Sequence, residues 1–174
     1  MQDLAALMAQ VAPVEAPVKR GRSRSDMAPE VREQSVGILQ ELLTSLVDLR
    51  LQARQAHWNV KGPAFYGLHK LFDDAQGFLD DFTDRLAERL VALGGYATSC
   101  VHCTARHTPL APLDEGLGQD ALVHALANGF ALLSSQARFH EPQCRCDVAT
   151  ESLIQDLIEG VDKYLWQLEA SCNE

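Results

Sequence analysis

Four long blocks of helical periodicity, separated by firm chain breakers, constrain this sequence more than any other feature. Pro29 suits a first helical position, and apolar residues then recur at helical spacing as Leu39, Leu42, Leu43, Leu46, Leu49 and Ala53. The pattern runs to Val60 and stops at Gly62-Pro63. A second block, from about Phe65 to Leu93, turns Leu68, Leu71, Phe72, Leu79, Phe82, Leu86 and Leu93 inward and ends at Gly94-Gly95. A third covers 119–140 and stops before Pro142. Asp147 is placed to cap a fourth over 148–171, in which Gly160 is a tolerated weakness. No alternating strand pattern and no internal repeat occurs.

The connections decide the topology. The first and third are short, whereas residues 96–118, with Pro109, Pro112, Gly116 and Gly118, form a long link. Extended, that link reaches about 76 Å, against roughly 43 Å for the second helix, so it can run the length of a bundle. The expectation is an all-α, ferritin-like four-helix bundle over 29–174, with a long crossover between the second and third helices. Residues 1–28 read as a flexible basic tail, because Pro13, Pro17 and the run Lys19 to Ser25 cannot bury enough apolar surface to order themselves.

Charge separates tail from body. The chain carries a net −9, yet residues 1–26 hold Lys19, Arg20, Arg22 and Arg24 against Asp3, Glu15 and Asp26. The acidic body repels nucleic acid and attracts cations, while the tail's four cations could neutralise DNA phosphates without reading bases or serve only as a solubilising arm. No run approaches the roughly 20 apolar residues of a membrane span. The first residues lack a basic start and Gln10 interrupts a short apolar run, so no secretory signal is expected and the location is cytoplasmic, with nucleoid association if the tail binds DNA.

The second helix bears the chemistry. His69, Asp73, Asp84 and Glu88 fall within roughly 100° of one another around its axis, in two i, i+4 pairs. Asp73 and Asp84 are nevertheless about 16 Å apart along the axis, too far to share one ion through bonds of about 2 Å. Either two separate sites exist, or a second copy of the helix, antiparallel across a twofold axis, brings Asp84 and Glu88 opposite His69 and Asp73. A dimetal centre inside the bundle needs Glu-x-x-His on two helices, and no Glu here has a His three residues later.

The run His57-Trp58-Asn59-Val60-Lys61-Gly62, with Phe65, Leu68-His69, Phe72-Asp73, Asp84, Ala87-Glu88-Arg89 and Leu93-Gly94-Gly95, resembles the Dps family, DNA-binding proteins from starved cells. Asp162-Lys163 and Leu165-Trp166 are similar to that family's ending, and the likeness covers about 30–174. The resemblance implies a homo-oligomeric hollow dodecamer that oxidises Fe(II), preferably with hydrogen peroxide, and stores the ferric product. Carried over residue by residue, His57, His69 and Asp73 come from one subunit and Asp84 and Glu88 from its twofold mate, holding two iron ions per shared site. Trp58 is the nearby aromatic that can lose an electron. Imidazole with carboxylate independently suits non-haem Fe(II).

Two features depart from the family pattern. Cys100-x-x-Cys103 and Cys144-x-Cys146 should fall near one end of the bundle, where four thiolates could hold zinc, with His102, His107 and His140 as alternates. Disulfides and unlinked thiols are the other outcomes, and Cys172 is left over. The family's acidic pore lining has Asp114, Glu115 and Asp120 available here, but Val123, His124 and Asn128 are not acidic. The reading is an iron-oxidising, iron-storing and DNA-protecting protein. The alternatives are a nucleoid-compacting, DNA-binding shell with weak oxidase activity, or a thiol metal or redox sensor on the same scaffold.

Overall fold

The computed structural model describes residues 23–172. The predicted tail therefore lies outside the described residues up to position 22. Ser23 Oγ donates to the Ala92 carbonyl at 3.3 Å, and Met27 packs against the core.

The four long helices form where the breakers allow them. Helix α1 spans Pro29–Asn59 and α2 Phe65–Ala92, and the turn between them passes through Gly62 at φ 123. The crossover contains a short helix not expected from the sequence, α3 (Val101–His107). Seven residues are too few to show an apolar period, and Thr104 is the one residue of α3 that is buried. Helix α4 spans Gln119–His140, and a 3-10 turn at Glu141–Cys144 leads into α5, Val148–Glu169. The Asp147 side chain caps α5 by accepting from Thr150 N–H.

Cross-helix pairs fix the directions. Arg50 pairs with Asp80, and His57 with His69, so α1 and α2 are antiparallel. Ser45 Oγ donates to Gln136 Oε1 at 2.7 Å and His140 Nε2 lies 2.9 Å from Glu41 Oε2, making α4 antiparallel to α1 and so parallel to α2. Arg85–Asp156 and Arg89–Asp147 run α5 antiparallel to α2. This is the predicted bundle with its crossover. Leu39, Leu42, Leu46, Leu49, Phe72, Leu79, Leu86, Phe130 and Leu133 are fully buried in its core, each contributing roughly 2 kcal/mol. Leu71 is only partly buried.

The crossover is held along α1 rather than by apolar packing alone. Gln40 exchanges two hydrogen bonds with the Thr98 backbone, at 2.8 and 2.9 Å. Asp48 accepts from Thr108 Oγ1, Gln52 donates to Ala111 O, and Gln55 donates to Leu113 O. The link thus advances along α1 in step with it, from the end of α2 to the start of α4, where Gln119 Oε1 accepts from Ala64 N–H.

Candidate metal centre

The last turn of α1 and the first turns of α2 bring His57, His69 and Asp73 together. The two imidazoles stack with centroids 3.8 Å apart and planes inclined by 22°. His57 Nδ1 lies 2.9 Å from the His69 carbonyl, and His69 Nδ1 lies 2.9 Å from the His57 carbonyl. A carbonyl only accepts, so each Nδ1 carries a proton, which leaves Nε2 as the ring nitrogen that can supply a lone pair to a metal. That is the state in which imidazole binds a metal, with the other nitrogen orienting the ring. Phe65 stacks on His69 at 5.1 Å.

Asp73 Oδ1 stands 3.9 Å from His57 Nδ1 and 3.5 Å from Arg54 Nη1. Sequence reasoning missed Arg54, although its place one helical turn before His57 put it on the same face. The guanidinium offsets part of the Asp73 charge.

Asp84 and Glu88 lie further along α2 and are exposed. Among the described residues neither makes a hydrogen bond or ion pair, because Arg85 is committed to Asp81 and Asp156 and Arg89 to Asp147. The structure does not bring Asp84 and Glu88 to His57 within one chain. No group of three or more His, Cys, Asp or Glu able to hold a metal ion occurs among the described residues. Large apolar side chains are exposed next to the histidines in the chain, Trp58 at 71%, Tyr66 at 75% and Phe65 at nearly half, and Leu51 is exposed earlier on α1.

The four thiols that could hold zinc do not form a group able to hold a metal ion among the described residues. Both cysteine pairs do lie toward the end of the bundle where α1 begins, but they are differently engaged. Cys100 and Cys103 contact each other, while Cys144 is buried and Cys146 exposed. Desolvation, with the nearby Asp147, Glu151 and Glu141 charges, pushes the Cys144 thiol up to about 11. The alternates are dispersed too: His102 and His107 are exposed on α3, and His140 faces Glu41. Of the predicted DNA contacts, Arg24 is exposed, and Lys19, Arg20 and Arg22 lie outside the described residues. Asp114, Glu115, Asp120, His124 and Asn128 are exposed and Val123 is buried.

Comparison with known proteins agrees with this architecture. The family model described as a ferritin-like domain matches residues 36–174. The chain is 33% identical over 161 residues to the DNA protection during starvation protein of Agrobacterium fabrum, covering 90% of this chain and 99% of that one. It is 30% identical over 157 residues to DNA protection during starvation protein 2 of Deinococcus radiodurans, covering 88% of this chain and 65% of that longer protein. The crystal structure of Dps92 from Deinococcus radiodurans superposes with a TM-score of 0.79 at 29% identity, covering 81% of this chain and 87% of that one. The chain belongs to the Dps family of ferritin-like proteins.

Proposed function

We propose that this protein stores iron and protects DNA, oxidising Fe(II) with hydrogen peroxide at sites shared between two copies of the chain. The observation that carries this reading is a divided set of donors on one helix. His57, His69 and Asp73 gather at one end of α2, and Asp84 and Glu88 stand exposed and unpaired along it among the described residues. Contacts across a twofold axis are reciprocal. An antiparallel pair of α2 helices would therefore set Asp84 and Glu88 of each copy against His57, His69 and Asp73 of the other. The exposed Trp58, Phe65, Tyr66 and Leu51 give a second copy an apolar surface to cover.

Iron is the substrate. Two Fe(II) ions each lose one electron, and one hydrogen peroxide takes both, with two protons from solvent, as its O–O bond breaks to give two waters, so no hydroxyl radical is released. His57 and His69 would bind the iron through Nε2, and Asp73, Asp84 and Glu88 would supply the carboxylates that balance its charge. Carboxylates also favour the ferric product by matching its greater charge. Trp58 is an aromatic beside the site that can give an electron. Twelve copies close the shell that holds the ferric product, in the cytoplasm. The names of the relatives favour a role on DNA, with Lys19, Arg20, Arg22 and Arg24 set against phosphate.

Stopped-flow mixing of Fe(II)-loaded protein with hydrogen peroxide tests the oxidase. Glu88→Ala is expected to lose most of the fast oxidation, and wild-type rates in that variant overturn the assignment. Retardation of duplex DNA that weakens steeply with salt and is lost on deleting 1–25 supports the DNA role. Absence of salt-sensitive binding removes it and leaves storage alone.

A further inference from the structure

The crossover carries a pair of thiols that the iron chemistry does not use. Cys100 caps α3, and its Sγ accepts from Cys103 N–H at 3.3 Å. The two sulfurs lie 2.7 Å apart. Cys100 is exposed and Cys103 half-buried, on a short helix whose other residues, Thr104 apart, face outward. The remaining cysteines are differently placed. Cys144 is buried, Cys146 is exposed on the turn after it, and Cys172 lies 3.8 Å from His124 Nδ1 at the far end of α5.

We propose that Cys100 and Cys103 are an oxidant-responsive dithiol that hydrogen peroxide converts to an intrachain disulfide. A disulfide needs its sulfurs about 2.05 Å apart, so the pair closes by a fraction of an ångström, on a segment outside the bundle core. The two thiols have unequal roles. Contact with the Cys103 thiol, the Cys103 and His102 N–H groups and the Arg106 charge hold Cys100 below the ordinary thiol value. The same contact, with burial, holds Cys103 above it. Cys100, the more exposed of the two and the acceptor of the Cys103 N–H, is the attacking thiolate and Cys103 the resolving thiol.

The steps balance. Cys100 thiolate attacks one peroxide oxygen, the O–O bond breaks, and the departing hydroxide takes up the proton Cys100 had released, leaving as water. Cys100 is then a sulfenic acid. The Cys103 sulfur attacks the Cys100 sulfur, the S–O bond breaks, and the departing hydroxide leaves as a second water with the Cys103 proton. Two thiols have lost two electrons and one peroxide has become two waters. A dithiol reductant reverses the change.

The test uses the full chain, reduced, freed of iron and held with a chelator, so that its outcome is independent of the iron reading. Stoichiometric peroxide is followed by alkylation and trypsin digestion. The peptide Leu90–Arg106 contains Cys100 and Cys103 and no other cysteine. It is expected to resist alkylation and to lose about 2 Da, two hydrogens, with dithiothreitol restoring both. Cys103→Ser should accumulate a sulfenic acid at Cys100 that dimedone traps, and Cys100→Ser should slow oxidation of Cys103 by about tenfold or more. A protein that leaves Leu90–Arg106 reduced, forms sulfinic acid in place of the disulfide, or reacts equally fast as Cys100→Ser overturns the proposal.

Discussion

Arg89 donates to the Asp147 carboxylate at 2.6 Å, reaching from α2 to the N-cap of α5, and so leaves its neighbour Glu88 without that cation. The Asp147 side chain is only 1% exposed and also accepts from Thr150 Oγ1 at 2.6 Å. Burial works to raise this carboxyl, but hydrogen bonds from Thr150 and Ser35 and the Arg89 charge outweigh it and hold it below the ordinary value of 3.8. A carboxyl depressed on folding stabilises the native state above its unfolded value and loses that contribution as pH falls through its folded value. Asp147→Asn should therefore cost about 2 kcal/mol at neutral pH, with the deficit shrinking below about pH 3.8. Urea midpoints across a pH series measure this, and a deficit that stays constant into acid contradicts it.

Gly160 looks like a weak point in a helix, yet the packing requires it. A Cβ there would stand 2.2 Å from Phe78 Cε2 and 2.4 Å from Cζ. The Phe78 ring is itself held between Phe82 and Tyr164, at 4.8 and 5.0 Å. Gly160→Ala gains about 1 kcal/mol of helix propensity and loses more through overpacking, about 1–3 kcal/mol. The thermal midpoint should fall, and adding Phe78→Leu should recover part of it. A single variant more stable than the parent would mean that the ring moves aside freely.

The breakers at Gly62-Pro63, Gly94-Gly95 and Pro142 made the four helices and the crossover legible, because apolar periodicity and its interruptions are local properties of the chain. The path of the crossover was not legible. Gln40, Thr44, Asp48 and Gln52 recur every fourth residue on α1, a pattern that a solvated face shows equally well. Only the folded chain shows that Gln40 serves both polar groups of Thr98 while Gln52 and Gln55 hold Ala111 and Leu113. In the candidate site, the His69 and Asp73 spacing was visible, and so was the impossibility of joining Asp84 to it along one helix. The reciprocal bonds of His57 and His69, and the Arg54 contact with Asp73, depend on how α1 meets α2, which no single-helix pattern encodes.

The Gln40 amide pair can be tested directly. Gln40→Leu leaves the Thr98 N–H and carbonyl without their partners, at a cost of about 1–3 kcal/mol for part-buried groups. Amide exchange should accelerate at Thr98 and along the crossover while α4 and α5 stay protected. Uniform acceleration across all helices would instead mean that the link and the bundle unfold as one unit.

Division of the donors between two copies makes a prediction that no single-chain site shares. His57→Ala and Glu88→Ala should each abolish fast iron oxidation in a uniform assembly, since every shared site then lacks a donor. A mixed dimer behaves differently. One of its two sites takes His57 from the Glu88→Ala chain and Glu88 from the His57→Ala chain, and is intact, while the other has lost both. If dimers form at random, about a quarter of the wild-type sites return, because half the dimers are mixed and each has one good site of two. Co-refolding equal amounts of the two inactive chains and measuring peroxide-driven Fe(II) oxidation reads this fraction. Two separate sites on one chain give no such recovery, as each chain would still carry its own lesion, so inactive mixed assemblies of normal size would require the ligands to be partitioned in another way.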